Sequence, residues 1–329
     1  MGKTYDIVAL GELLVDFTPA GISESGMMLF ERNPGGAPVN MLAAAAKSGA
    51  KTAFIGKVGK DIHGLFLKDM AECAGIDTGG LVLSEDAFTT LAFVELSKSG
   101  ERNFSFARKP GADTRLAYKE IKENLLADAK VFHVGSLSLT DDPSRTTTFQ
   151  AVRTAKSLGA IISYDPNYRQ PLWESRETAV ERMRSMVQYV DIMKLSDEET
   201  EMLTPYREPE EAAEYLLQKG VLLTAVTMGK NGVLVASEKG CEIVPAFKSK
   251  VVDTTGAGDS FWGAFVNRML QMEESPHKLS MKQWRECALY GNAVASLCIE
   301  RRGGMPSIPD VGEVEKRLQK MCTEASQGK

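Results

Sequence analysis

The sequence has little with which to hold a transition metal or build a disulfide framework. Its three histidines, His63, His133 and His277, are scattered. Its five cysteines, Cys73, Cys241, Cys287, Cys298 and Cys322, form no Cys-x-x-Cys pair. No zinc spacing exists, and an odd set of dispersed thiols reads as buried cysteines in a reducing cytosol. Long apolar runs are also missing. The N-terminal region offers only Ile7-Val-Ala-Leu10, which is strand length, so neither a signal segment nor a membrane span is expected. An excess of basic charge is absent: the net charge is −5, which argues against a general nucleic-acid binder. Backbone donors can still hold a small anion in such a chain. Two nucleotide signatures are lacking too. No Gly-x-x-x-x-Gly-Lys-Ser/Thr loop occurs, which excludes a P-loop enzyme. The first apolar run is followed by Gly11-Glu-Leu-Leu-Val-Asp16 where a dinucleotide-binding turn would read Gly-x-Gly-x-x-Gly, which counts against a nicotinamide oxidoreductase.

What is present is an alternating pattern. A chain of 329 residues can bury a large core. Short apolar runs over 6–10, 52–55, 131–134, 161–164, 192–195, 223–227 and 232–236 read as strands. Between most of them lie helical patterns over 39–47, 65–74, 118–126, 145–157, 174–190 and 209–218. This alternation predicts an α/β fold with a mostly parallel sheet covered on both faces. The last third turns helical, over 257–272, 284–299 and 312–321. Two stretches, 12–29 and 87–107, break the alternation and read as short strands without helices. Within the second, runs at 91–96 and 103–107 flank a polar, glycine-containing turn at 97–102, which predicts a hairpin. On the residues alone it would be an edge hairpin of the main sheet.

The most informative segment is Asp253-Thr-Thr-Gly-Ala-Gly-Asp-Ser-Phe261. Gly256, Ala257 and Gly258 stand before an acid, Asp259, at the start of an apolar helical run. Small residues at a helix start leave backbone N–H groups free to meet an anion. An acid beside such a site can take a proton from an attacking hydroxyl. A simple acidic cap would explain Asp259 but not two glycines flanking Ala257. The segment therefore points to phosphoryl transfer onto an alcohol. A second cluster, Gly35-Gly36-Ala-Pro-Val-Asn40, leads into an Ala-rich helix and then Gly56-Lys-Val-Gly59-Lys-Asp61.

These two clusters resemble the C-terminal and N-terminal signatures of the ribokinase-like sugar kinases, also called the PfkB family. The resemblance runs from the first strand to Pro306-Ser-Ile-Pro309, nearly the whole chain. It implies one ribokinase-like domain over 1–329: a three-layer α/β sandwich with a central, mostly parallel sheet. A small β-sheet lid, from segments near 12–35 and 87–108, would exclude water from the sugar and form a homodimer surface. Asp259 would be the general base, and Gly256, Ala257 and Gly258 the anion hole. Asp16, Gly35, Gly36 and Asn40 would hold the sugar. Asp165-Pro-Asn-Tyr-Arg-Gln-Pro-Leu-Trp173 is similar to a pattern of the fructokinase branch and places Asn167 and Arg169 at the site. Arg108 is similar to that branch as well.

The nucleotide side would involve Lys194, Glu199, Thr227, Gly229, Gly232 and Asn292, with ATP and Mg²⁺ as cofactors. Ser196 stands where the family's Asn-x-x-Glu motif has asparagine, and it fits an N-cap with Glu199 equally well. Asp253, Thr255, Arg301, Gly303 and Ser307 match positions that hold a monovalent cation, implying K⁺. The resemblance thus implies a cytoplasmic, ATP-dependent fructokinase. Alternatives with the same chemistry are a 2-keto-3-deoxygluconate kinase, an aminoimidazole riboside kinase or a ribokinase. A non-catalytic sugar-binding relative is the alternative of a different class. Partners would be a sugar and ATP, with no nucleic acid and no membrane.

Overall fold

The structure is a computed structural model that describes residues 2–96 and 102–327. Residues 97–101 of the expected turn, and the side chain of Cys322, lie outside the described residues. The strands are β1 Tyr5–Leu10, β2 Leu14–Ile22, β3 Met28–Gly35, β4 Thr52–Gly59, β5 Ile76–Ser84, β6 Leu91–Leu96, β7 Arg102–Ala107, β8 Ala129–Gly135, β9 Ile161–Asp165, β10 Ile192–Ser196, β11 Leu223–Thr227, β12 Val233–Ser237 and β13 Gly240–Val244. Nine of them form one sheet in the order β13-β12-β11-β10-β9-β8-β1-β4-β5. It is parallel from β11 to β5 and closes antiparallel through β12 and β13.

Burial on both faces explains why the central strands read as unbroken apolar runs. Along β1, Ile7 and Ala9 pack into one core, while Val8 and Leu10 pack into the other. The first core is roofed by helices Ala37–Lys47, Ile62–Cys73, Ala257–Leu270 and Met281–Cys298. The second is roofed by helices Ser144–Ser157, Arg176–Val187 and Pro209–Gln218. The strand–helix alternation of the sequence is thus a three-layer sandwich.

Three local expectations are corrected. The expected helix over 118–126 is a 3₁₀ turn, Tyr118–Glu120, then an extended Ile121, then a short helix, Glu123–Ala127. Glu120 breaks it: its carboxylate reaches back to the Ala117 N–H and pairs with Lys57 on β4. Strands β5 and β13 were not expected, because their glycines and acids disfavour strand in isolation. In β5, a Cβ at Gly80 would stand 2.6 Å from the Phe54 carbonyl oxygen and 2.7 Å from Leu125, so packing requires the glycine. Lastly, the 91–107 hairpin does not edge the main sheet. Strands β6 and β7 pair antiparallel and join β2 and β3 in a separate sheet, ordered β3-β2-β6-β7.

Candidate active site

Helix Ala257–Leu270 begins at Gly256, whose φ of +73° suits only glycine without strain. The Ala257 N–H is already donated to the Thr254 carbonyl, 3.2 Å away, so it is not free for an anion in this structure. The N–H groups of Gly258 and Asp259 have no partner among the described residues. A Cβ on Gly258 would stand 2.9 Å from the Lys194 Nζ. This glycine therefore lets an ammonium group close on the helix start.

Asp259 is buried, and both of its oxygens accept amide donors. Asn40 gives Nδ2 to Oδ2 at 2.9 Å, and Asn167 gives Nδ2 to Oδ1 at 3.1 Å. Burial pushes the Asp259 carboxyl above its ordinary range, while Lys194, the Asn40 hydrogen bond and Arg169 oppose that. Asn40 is not a helix cap: the N-cap of its helix is Gly36, with Pro38 in the first turn. Its Oδ1 is buried without a partner. Asn167 follows β9 in the left-handed region, φ +45°, which asparagine tolerates better than most residues. That conformation turns its amide from the strand end toward Asp259.

Asp16, on β2, is raised to about 6, mainly by burial, with Arg169 opposing and Asp259 and Asp253 adding to the rise. A Cβ at Gly35 would fall 2.1 Å from the Asp16 Oδ2, so that glycine lets the carboxyl lie against β3. Asp16, Asn40, Asn167, Arg169 and Asp259 converge on one cavity of about 390 Å³ under the four-stranded sheet. Sequence reasoning missed three of its walls. Thr18 and Asn33 line it from β2 and β3, and Asn33 donates to the Thr18 hydroxyl at 2.8 Å. Glu12 also lines it, with Oε1 accepting the Ala37 N–H at 2.9 Å and Oε2 unpartnered. Burial lifts Glu12 to about 7. Their signal was faint: period-two alternation on β2 carries Asp16 and Thr18 to one face, but nothing in the sequence names that face.

A second, more open cleft of about 1040 Å³ lies on the other side of Asp259. Lys194, Glu199, Thr227, Gly229 and Gly256–Asp259 line it. Asp259, Asn167, Arg169 and Gly256 line both spaces. The carboxylate stands where the two meet.

Several expected residues sit elsewhere or are differently engaged. Arg108 lines neither space. Its guanidinium is buried against Asp113, Thr140 Oγ1 and the Leu137 carbonyl, so it braces the floor beside the lid. Asn292 donates to the Val244 and Pro245 carbonyls and does not reach the cleft wall. Gly232 is packed against the same segment, where a Cβ would meet the Val244 oxygen at 2.1 Å. Glu199 uses one carboxylate oxygen for the Ser196 N–H and hydroxyl and the other for the Tyr168 N–H. It ties β10 to the loop after β9, and Ser196 is the partner it grips.

At the proposed cation loop, the Asp253 carboxylate binds the N–H groups of Thr255 and Gly303, drawing two loops together. Ser307 hydrogen-bonds the Gly304 carbonyl and faces Cys298 Sγ. The Arg301 guanidinium pairs with Glu313, so any share of Arg301 in that loop belongs to its backbone. Among the described residues no group of three or more His, Cys, Asp or Glu side chains could hold a metal ion.

The family model for pfkB family carbohydrate kinases matches residues 5–311. The chain is 39% identical over 325 residues to the probable fructokinase-5 of Arabidopsis thaliana, covering 97% of this chain and 99% of that protein. In structure it is similar to the fructokinase with bound ATP from Xylella fastidiosa, with a TM-score of 0.89, 31% identity and coverage of 96% and 99% of the two chains. It also resembles a fructokinase double mutant from Vibrio cholerae O395 in its fructose, ADP and potassium ion bound form, with a TM-score of 0.86, 30% identity and coverage of 97% and 100%. With the family model spanning nearly the whole chain and a full-length relative at that identity, the chain belongs to the pfkB family and is an ATP-dependent carbohydrate kinase.

Proposed function

We propose that this kinase is a fructokinase, moving the γ-phosphoryl group of ATP to the 6-hydroxyl of D-fructose. The observation that carries the reading is the position of Asp259, on the wall of both the small cavity and the open cleft. A sugar in the first and a nucleotide in the second would meet at this shared wall, where Asp259 is the one carboxylate among the described residues. In that step the 6-hydroxyl oxygen bonds to the γ-phosphorus and the bond to the β,γ-bridging oxygen breaks. The hydroxyl proton passes to Asp259. The N–H groups of Gly258 and Asp259, without a partner among the described residues, would meet the charge that moves.

The charge of the small cavity favours a neutral sugar over an acidic one. Its wall carries Glu12, Asp16, Asp253 and Asp259, and among the described residues Arg169 is its single Lys or Arg. A sugar acid would set its carboxylate among four acidic side chains, whose own pKa values are already pushed up in three cases. With Arg108 engaged in the protein, this argues against a 2-keto-3-deoxygluconate kinase. Mg²⁺ keeps waters and would be held largely by phosphate oxygens, so it needs no three-acid cluster, and none is found among the described residues. Glu199 would orient its waters, and the ion would offset charge on the phosphates. The backbone of the 253–255 and 301–307 loops would hold K⁺. On the same reading residues 1–329 are one domain, with the lid at 12–35 and 87–108. Exposed Met28, Leu29 and Phe30 would pair two lids in a homodimer, and the free thiols fit the cytoplasm.

A coupled ADP-release assay over fructose, ribose, aminoimidazole riboside and 2-keto-3-deoxygluconate, with and without K⁺, tests this. Fructose should give the highest kcat/KM. A higher value on another acceptor would replace the fructokinase reading, and no turnover on any would favour a non-catalytic role.

A further inference from the structure

We propose that Lys194 is a catalytic residue of the transfer step. Its ammonium, held from behind by Asp165, contacts the oxygens of the transferring phosphoryl group as it passes Gly258. This rests on the kinase reading and adds a charged group to the helix N-terminus and the base.

The two residues stand on neighbouring parallel strands, Asp165 as the last residue of β9 and Lys194 two residues before the end of β10. Met193 pairs in register with Tyr164, so the next residue of each strand, Lys194 and Asp165, follows a paired position. The Lys194 Nζ lies 2.9 Å from the Asp165 Oδ2, and the two side chains are 7% and 3% exposed. A buried ion pair is a poor source of stability, because desolvation offsets the attraction. An ammonium also carries three donors, and Asp165 is the only protein acceptor of Lys194 among the described residues. The group nonetheless lines the open cleft together with Gly258 and Asp259. The nearness of Nζ to the position a Gly258 Cβ would take sets it at the start of the helix, among the two unpartnered N–H groups.

The surrounding charges make such a group necessary. Asp165, Glu199 and Asp259 all act on Lys194, and together they hold its pKa above the ordinary value although burial alone would lower it. A γ-phosphoryl group arriving beside three carboxylates would be repelled unless cations offset them, and Lys194 is a charge the protein itself holds there beside any Mg²⁺ on the phosphates. Arg169 lines the same cleft but is exposed to water, where its field is screened. In the step, the sugar oxygen–phosphorus bond forms and the bond from the γ-phosphorus to the bridging oxygen breaks, its electron pair staying on ADP. Lys194 keeps its proton throughout, while Asp259 takes the one from the hydroxyl.

The test uses the full chain and steady-state ADP release with the best acceptor and ATP. Lys194→Met should lower kcat by about 100-fold or more, the usual scale for losing one transition-state donor, with sugar KM within about threefold. Lys194→Arg should recover about tenfold of that loss, since it restores the charge with altered reach. Lys194→Met retaining kcat within about fivefold of wild type overturns the proposal. So does a loss of kcat that only tracks the folded fraction seen by circular dichroism. Should Lys194→Met leave Asp165 unpaired and fail to fold, the double variant Lys194→Met/Asp165→Asn removes both charges. A folded double variant still slowed about 100-fold supports the role, and one near wild-type kcat refutes it. If the wild type itself turns over no sugar, the kinase reading fails first, and the two failures are told apart.

Discussion

At the residue scale, the proposed chemistry gathers on one carboxylate with both oxygens occupied. Asn40 and Asn167 hold Asp259 from two sides, so its remaining lone pairs point along limited directions. Asp259→Asn keeps the shape and removes the base, and kcat is expected to fall by about 10³-fold with the melting temperature little changed. Near-normal kcat in a folded variant would remove the role. The pH profile follows from the same site. Burial raises the Asp259 pKa above its ordinary value, and the base must be ionised to act. Activity is therefore full above that raised pKa and is lost as pH falls through it. The acid limb of kcat/KM should lie above the usual aspartate range. Asn40→Leu removes a hydrogen bond that lowers the Asp259 pKa, so it should move the limb to still higher pH. A limb that stayed in place would show that Asn40 does not tune the base.

At the element scale, the distance between Asn40 and Asp259 is set by two helices in close contact. Gly263 lies on the helix that carries Asp259, and a Cβ there would stand 2.1 Å from the Met41 carbonyl on the helix that carries Asn40. Gly263→Ala is expected to cost about 1–3 kcal/mol, the usual scale of overpacking, read by urea denaturation. It should also lower kcat by separating the two side chains. The signature at Gly56–Asp61 belongs to this scale as well: Asp61 caps the next helix through His63 and Gly64 and binds Thr89. Its visible role in this structure is to fix the turn between β4 and that helix.

At the scale of the whole molecule, the small sheet stands over the cavity proposed for the sugar and exposes its far end. Phe17, on β2, stacks on Phe93 at 5.1 Å and meets His63 edge-on, anchoring the small sheet to helix Ile62–Cys73. Toward the β2–β3 turn, Met27, Met28, Leu29 and Phe30 face solvent. Phe30→Glu should turn a lid-paired dimer into monomers in sedimentation velocity. A wild type that already sediments as a monomer would end the homodimer reading.

The alternation of strands and helices and the Gly256–Asp259 segment were legible in the sequence, because both depend on local spacing and backbone freedom. The apolar run of β1, the helix after Pro38 and the small residues at the start of the helix of Asp259 needed no partner to be read. What the tertiary structure alone decided is which polar groups remain available. Arg108, Asn292 and Gly232 looked like ligand contacts in sequence, yet each is taken up by a neighbour brought from elsewhere in the chain. Lys194 was placed on the nucleotide side by resemblance, but its closeness to Gly258 comes from strand order and helix packing, and Glu12, which carried no motif, reaches the cavity wall the same way. Local sequence sets what a residue can do. Long-range packing sets what is left for it to meet, because every buried donor or acceptor spent on the protein is withdrawn from the ligand.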